Sequence, residues 1–125
     1  MSRRVSSVLV VDGANVVGAR PDGWWKDRAG AARRLHDALL VADIEYDVVV
    51  LVLEGQAKAA ARPGRDAHVR TVHASRDGDS TIVAEARSAS ERGARVAVVT
   101  ADRALQANVS GFATTLSPTW LLERL

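Results

Sequence analysis

The sequence predicts an α/β fold in which helices cover both faces of a mostly parallel sheet. Two observations carry this expectation. Short runs of β-branched and aliphatic residues alternate along the chain with segments of helical spacing, and parallel neighbours need crossover connections of that kind. Three of the apolar runs also end in an acid: Val8-Leu9-Val10-Val11 leads into Asp12, Val48 to Leu53 into Glu54, and Val96 to Val99 into Thr100-Ala101-Asp102. An open α/β sheet exposes its functional edge at the carboxyl ends of its strands, which is where these acids fall. The chain of 125 residues, 47% hydrophobic and 26% charged, suits one domain spanning residues 1–125.

Each element has a local reason. Val5 to Val11 is rich in β-branched residues and apolar at its centre, so it reads as a strand. Arg20-Pro21-Asp22-Gly23 is turn chemistry, and Asp27 can open a helix to about Ala42, with Ala32, Leu35, Leu39 and Ala42 facing the sheet. Tyr46 to Leu53 is a nearly continuous apolar strand of the kind buried on both faces. A loop through Arg62-Pro63-Gly64-Arg65 precedes a shorter alternating strand, His68 to His73. After a turn at Ser75 to Gly78, a helix from about Asp79 to Glu91 carries Ile82, Val83, Ala86 and Ala89 on one side and ends at Gly93. Then follow a strand from Arg95 to Thr100, a short helix from Asp102 to about Asn108, and a turn at Ser110-Gly111. A strand from Phe112 to Leu116 and a helix from Thr119 to Leu125 behind Pro118 close the chain.

Composition excludes several classes of function. Without Cys there is no disulfide, thiolate metal site or thiol nucleophile. No apolar stretch approaches the roughly 18 residues of a membrane span, and Met1-Ser2-Arg3-Arg4 leads into a strand rather than a signal-peptide core, so a cytoplasmic protein with no membrane partner is expected. The formal net charge of +2 is too small to argue for nucleic-acid binding by itself. No Ser-His-Asp arrangement is apparent, and the segment from Gly13 to Gly18 has neither a Walker ending nor dinucleotide-binding spacing. His36, His68 and His73 are not spaced as metal ligands.

The acids invite one chemistry. Asp79, in Arg76-Asp77-Gly78-Asp79-Ser80-Thr81, begins a helix, where an acid serves as a cap or suits the helix dipole. If that helix starts beside the mouth of the first strand, Asp79 joins Asp12 and Asp102 in one crevice. Two carboxylates about 5 Å apart repel by roughly 3 kcal/mol at an effective dielectric near 20. A hard cation removes that cost, and Mg²⁺ or Mn²⁺ suits carboxylate oxygens and waters with no Cys or His nearby. The chemistry expected is metal-assisted hydrolysis of a phosphate ester.

Three segments together resemble the NYN branch of the PIN-like nuclease superfamily, and within it the YacP-like proteins. They are Val10-Val11-Asp12-Gly13-Ala14-Asn15-Val16, Asp79-Ser80-Thr81-Ile82-Val83, and Val98-Val99-Thr100-Ala101-Asp102-Arg103. The resemblance implies a three-layer α/β/α sandwich on a mostly parallel five-stranded sheet in the order 3-2-1-4-5, and a Mg²⁺- or Mn²⁺-dependent endoribonuclease acting on single-stranded or unpaired RNA. It implies that Asp12, Asp79 and Asp102 are the metal-binding catalytic acids. Asn15 would orient Asp12 or contact substrate, and Thr100 would support the metal shell or a phosphate. Glu54 stands where relatives often carry an acid. Gly78 stands where many have Ala, and Asp77 beside it is a second candidate ligand to set against Asp79.

Residues around these motifs are candidates for substrate contact. Arg103 follows an acid at the site edge and can match phosphate oxygens in a bidentate way. Arg20 and Arg76, with Arg28, Arg62 and Arg65, lie in or beside loops that can flank the crevice. Trp24-Trp25 is unusual in a chain with 4% aromatic residues: one Trp can stack on a splayed base, or pack the loop on the first helix. Two other readings compete with the nuclease. One is a PIN-like module that holds RNA or a ribosome-bound partner without cutting; the other is a hydrolase of nucleotides or small phosphate esters. A ribosome or a second copy of the chain is a candidate partner besides single-stranded RNA. A phosphoaspartyl phosphatase is disfavoured because no second Asp follows Asp12 by two residues. A receiver domain is disfavoured because Phe112 to Leu116 supplies no Lys.

Overall fold

The computed structural model describes residues 6–125. Val5, which the sequence places in the first strand, lies outside the described residues. Strand β1 (Ser7–Asp12) pairs in parallel with β2 (Val48–Leu53) on one side and β5 (Arg95–Val99) on the other. Strand β4 (Val69–His73) extends the sheet beyond β2, and β6 (Thr114–Leu116) extends it beyond β5, both in parallel. These five strands reproduce the expected order 3-2-1-4-5. A sixth, β3 (Gly64–Asp66), adds antiparallel to β4, so the full order is β3-β4-β2-β1-β5-β6. The sequence predicts a loop there. A three-residue edge strand, exposed on both faces, has no apolar periodicity to announce it.

Alternation in the central strands divides the core in two. Leu9, Val11, Leu51 and Val99 pack with Val16 of α1 (Gly13–Gly18), Leu35 and Leu39 of α2 (Arg28–Val41), and Leu121 of α5 (Pro118–Leu122). Val8, Val10, Val50 and Val98 pack with Ile82 and Ala86 of α3 (Gly78–Glu91) and with Leu105 and Val109 of α4 (Arg103–Val109). Successive side chains of a strand point to opposite faces, so a run that is apolar throughout must be covered twice. The result is the three-layer sandwich expected. Each fully buried Leu or Ile contributes roughly 1.5–3 kcal/mol relative to exposure, which makes this double cover the main force holding the sheet edge in place. Among the described residues no helix is long and apolar enough to cross a membrane.

Helix α1 is absent from the sequence expectation because six residues leave too little pattern for a helical period. It forms because the Asp12 side chain caps it, and because Gly13 has no Cβ: one built there would fall 2.6 Å from the Val52 carbonyl oxygen and 3.1 Å from Leu53 Cδ2. The remaining boundaries move little. The last strand begins at Thr114 rather than Phe112, since Phe112 and Ala113 turn inward onto the α3/α4 side of the core. The final helix starts at Pro118, with Ser117 as its cap.

Candidate active site

Strand register brings the acids together. Asp12 pairs with Val52, and Val11 with Val99, so the carboxyl ends of β1, β2 and β5 lie nearly level and Asp12 stands beside Thr100, with Glu54 one step beyond β2. Asp12 is 7% exposed and held from two sides. Its Oδ1 accepts the Asn15 backbone N–H at 3.2 Å, and its Oδ2 accepts the Thr100 hydroxyl at 3.0 Å. Thr100, fully buried, also accepts the Asp102 N–H on that same hydroxyl oxygen at 3.1 Å, so one oxygen ties two acids together. Its carbonyl accepts from Gln106 Nε2 at 2.9 Å. The Asn15 side-chain oxygen accepts the Ala101 N–H at 2.8 Å, which leaves the Asn15 NH₂ group as a donor.

Helix α3 delivers the next acid. Its cap is Asp77, whose Oδ1 accepts the Ser80 N–H at 2.8 Å and the Ser80 hydroxyl at 2.9 Å. The sequence alone leaves a cap as the plain reading of Asp79; the structure gives that role to Asp77, two residues earlier, because a cap must precede the first helical turn. Asp79 is thereby released to lie in the first turn near Asp12, Asp102 and Glu54. Glu54 lies directly against Gly78: a Cβ on that residue would fall on Glu54 Oε2 and 3.3 Å from its Cδ. The Gly in the helix opening is therefore the space in which the Glu54 carboxylate sits.

Electrostatics record the crowding. Burial pushes the Asp12 carboxyl above its ordinary range; the Thr100 and Asn15 hydrogen bonds pull it back, and the charges of Asp79 and Glu54 push it further up. Asp79 is also raised, first by partial desolvation and then by Asp102, Asp77 and Glu54. Asp77 is lowered, mainly by its bonds to Ser80, as befits a satisfied cap. Among the described residues no three His, Asp or Glu side chains are gathered closely enough to form a ready-made metal cage. The acids influence one another without converging.

A cleft of about 560 Å³ adjoins this crevice, lined in part by Gly13, Trp24, Arg28, Glu54, Gln56 and Arg76. Trp24 is half-buried in the 3-10 turn Trp24–Lys26, with the Arg28 guanidinium 5.2 Å from its ring centre, whereas Trp25 is 58% exposed. Of the candidate substrate contacts, Trp24 and Arg76 line the cleft, and Arg103 opens α4 directly after Asp102. Arg20 does not join them. It borders a separate hollow with Val16, Ala31 and Leu122, because α1 carries the chain across the helical layer before the turn at Pro21. His68 bonds the Leu39 carbonyl and His73 that of Ala61, so both serve structure. Gln106 and Gln56 escape sequence reasoning, since nothing local marks a polar residue as facing a site, whereas Arg28, one of the loop arginines the sequence offers, does line the cleft.

No protein-family model matches the chain, and no curated protein does. Among solved structures it is similar to the crystal structure of Rae1 (YacP) from Bacillus subtilis, a W164L mutant, with a TM-score of 0.69 and 22% identity. The match covers 94% of this chain and 73% of that one. At that identity the likeness establishes the fold, which is the one the sequence motifs lead to.

Proposed function

We infer that the chain is a metal-dependent endoribonuclease that hydrolyses phosphodiester bonds in single-stranded or unpaired RNA. The observation that carries this reading is the placement of Asp12, Asp79, Asp102 and Glu54 at one sheet edge, with Asp12 and Asp79 pushed upward in pKa by burial and by neighbouring acids. Such repulsion is a cost to the fold that a hard cation offsets. The donor set fits Mg²⁺ or Mn²⁺: all are carboxylates, and an ion that keeps several waters needs only one or two of them, consistent with acids that approach without closing a cage. One or two of Asp12, Asp79 and Asp102 would hold the ion directly and the rest through its waters, with Glu54 beside them. Asp77, occupied as a cap, is the weaker candidate.

When bound, the ion supplies charge neutralisation and polarisation of the phosphodiester. The chain's own residues do the positioning. Thr100 fixes the direction of Asp12 and the backbone of Asp102 through one hydroxyl. Asn15, with its oxygen committed to Ala101, presents its NH₂ group to a phosphate oxygen. Arg103 and Arg76, at the two margins, offer guanidinium groups to neighbouring phosphates. An RNA partner follows from this reading.

The test is cleavage of end-labelled single-stranded RNA in Mn²⁺, Mg²⁺ or chelator, beside an Asp12→Asn/Asp102→Asn double variant. Metal-dependent cleavage that the double variant lacks is expected. Equal rates in the variant would assign the activity to a contaminant, and turnover of free nucleotides in preference to RNA would move the substrate to small phosphate esters.

A further inference from the structure

We propose that the cleft between the Trp24 turn and the segment after β2 is a nucleotide subsite that takes one unpaired base next to the scissile phosphate. The proposal rests on the nuclease reading for its orientation, and on the cleft itself for its chemistry. Its volume, about 560 Å³, falls in the range of small-ligand sites. One wall is an indole with a guanidinium laid over it, Trp24 and Arg28. These are the two kinds of plane on which unpaired bases stack. The same cleft is lined by Glu54 and the exposed Gln56, an acceptor and a donor-acceptor pair suited to the polar edge of a base. Arg76 also lines it, as does Gly13, which follows Asp12 directly and so joins the cleft to the acids.

Two further features favour a ligand over a structural role. Trp24 is half-buried and is not part of either apolar core, so packing does not account for the whole ring. Among the described residues, neither Arg28 nor Arg76 takes part in an ion pair within 4.0 Å, although Arg76 is close enough to Asp77 to lower its pKa. Glu54 belongs to both regions, facing Gly78 and the acids on one side and lining the cleft on the other. A base seated here therefore places its phosphate toward Asp12. The chemistry named is a single unpaired nucleobase, and base pairing would close off the edge that Gln56 and Glu54 read.

The experiment measures binding of a short fluorescein-labelled single-stranded RNA by anisotropy, with Ca²⁺ replacing Mg²⁺ and Mn²⁺ so that the acids are neutralised while cleavage is suppressed. The RNA is used intact and as a series with one abasic position stepped along it. Trp24→Ala should weaken binding of the intact RNA by about 10- to 100-fold, with Trp24→Phe retaining most of the affinity. One abasic position should weaken the wild type by a similar factor and leave Trp24→Ala unaffected. Gln56→Ala, on an exposed turn and neutral to the core, should show the same coupling to that position in weaker form. Losses from the abasic site that are equal in wild type and both variants, or no RNA binding by the wild type, would overturn the proposal. Cleavage in Mn²⁺ is scored separately. RNA cut without dependence on Trp24 would remove the subsite and leave the nuclease, whereas Trp24-dependent binding without cutting would do the reverse.

Discussion

Thr100→Val tests how the acids are held. Valine nearly matches threonine in shape, so the substitution deletes the hydroxyl from a fully buried position and changes little else. Two bonds go: the 3.0 Å donation to Asp12 Oδ2 and the 3.1 Å acceptance from the Asp102 N–H. A hydrogen bond to a charged group contributes about 1.5–3 kcal/mol, and an orphaned backbone donor costs about 1 kcal/mol more, giving a loss of about 2.5–4 kcal/mol. With about 2.1 cal/mol/K of unfolding entropy per residue over a chain of 125, Tm should fall by about 10–15 °C. The loss should also depend on pH. The Thr100 bond lowers the Asp12 pKa, so without it Asp12 rises further above its ordinary value of 3.8. A raised native pKa means that stability falls as pH rises through the window above 3.8. The gap between variant and wild type should therefore be narrow in acid, where Asp12 is protonated in both states, and wide near neutrality. Thermal melts followed by circular dichroism across that range provide the assay, with Thr100→Ser expected to recover most of the loss. A Thr100→Val protein melting within about 2 °C of wild type at neutral pH would refute the account of Thr100 as the tie between two acids.

Other substitutions separate function from stability. Asp12→Asn should abolish metal-dependent cleavage yet change Tm in chelator little, because removing a buried charge that burial and two neighbouring acids disfavour offsets the loss of charge-assisted bonds from Thr100 and Asn15; a large fall in Tm would contradict this. Metal at about 100 times its Kd should stabilise the wild type by about 2.7 kcal/mol, roughly 10 °C, and the Asp12→Asn protein much less, as read by melts with and without Mn²⁺. Gly78→Ala should keep or raise Tm, since Ala favours a helix, while weakening Mn²⁺ binding about tenfold by displacing the Glu54 carboxylate; unchanged titration calorimetry would argue against Glu54 as part of the site. At the opposite end of the sheet, Asp47 accepts from Ser6 N at 3.0 Å, Ser6 Oγ at 2.6 Å and Ser7 N at 3.1 Å, which hold its pKa down. The stability it contributes is present above 3.8 and is lost as pH falls through its lowered native pKa. Asp47→Asn should thus be less stable than wild type at neutral pH and converge with it in strong acid.

Much of this molecule is written locally in its chain. The β-branched runs, the capping residues Asp27 and Ser117 and the helical spacing of Leu35 and Leu39 each act within a few residues, and an apolar run covered on both faces permits few arrangements other than a parallel sheet between helices. The acids at the strand ends are legible for the same reason, because a charge that follows a buried strand has only the sheet edge to occupy. What the chain does not display is which of these groups meet. Asp12 and Thr100 are 88 positions apart, and they touch because β1 and β5 pair in one register; a shift by one residue would turn the contacts to the other face. Only tertiary structure gives the α3 cap to Asp77 and leaves Asp79 for the site, seats Glu54 in the space over Gly78, sends Arg20 to another hollow and adds β3 to the edge. Local sequence determines which residues lie at the functional edge. Packing of the helices on the two faces of the sheet decides how close they come, and closeness is what sets the electrostatics on which metal binding and catalysis would depend.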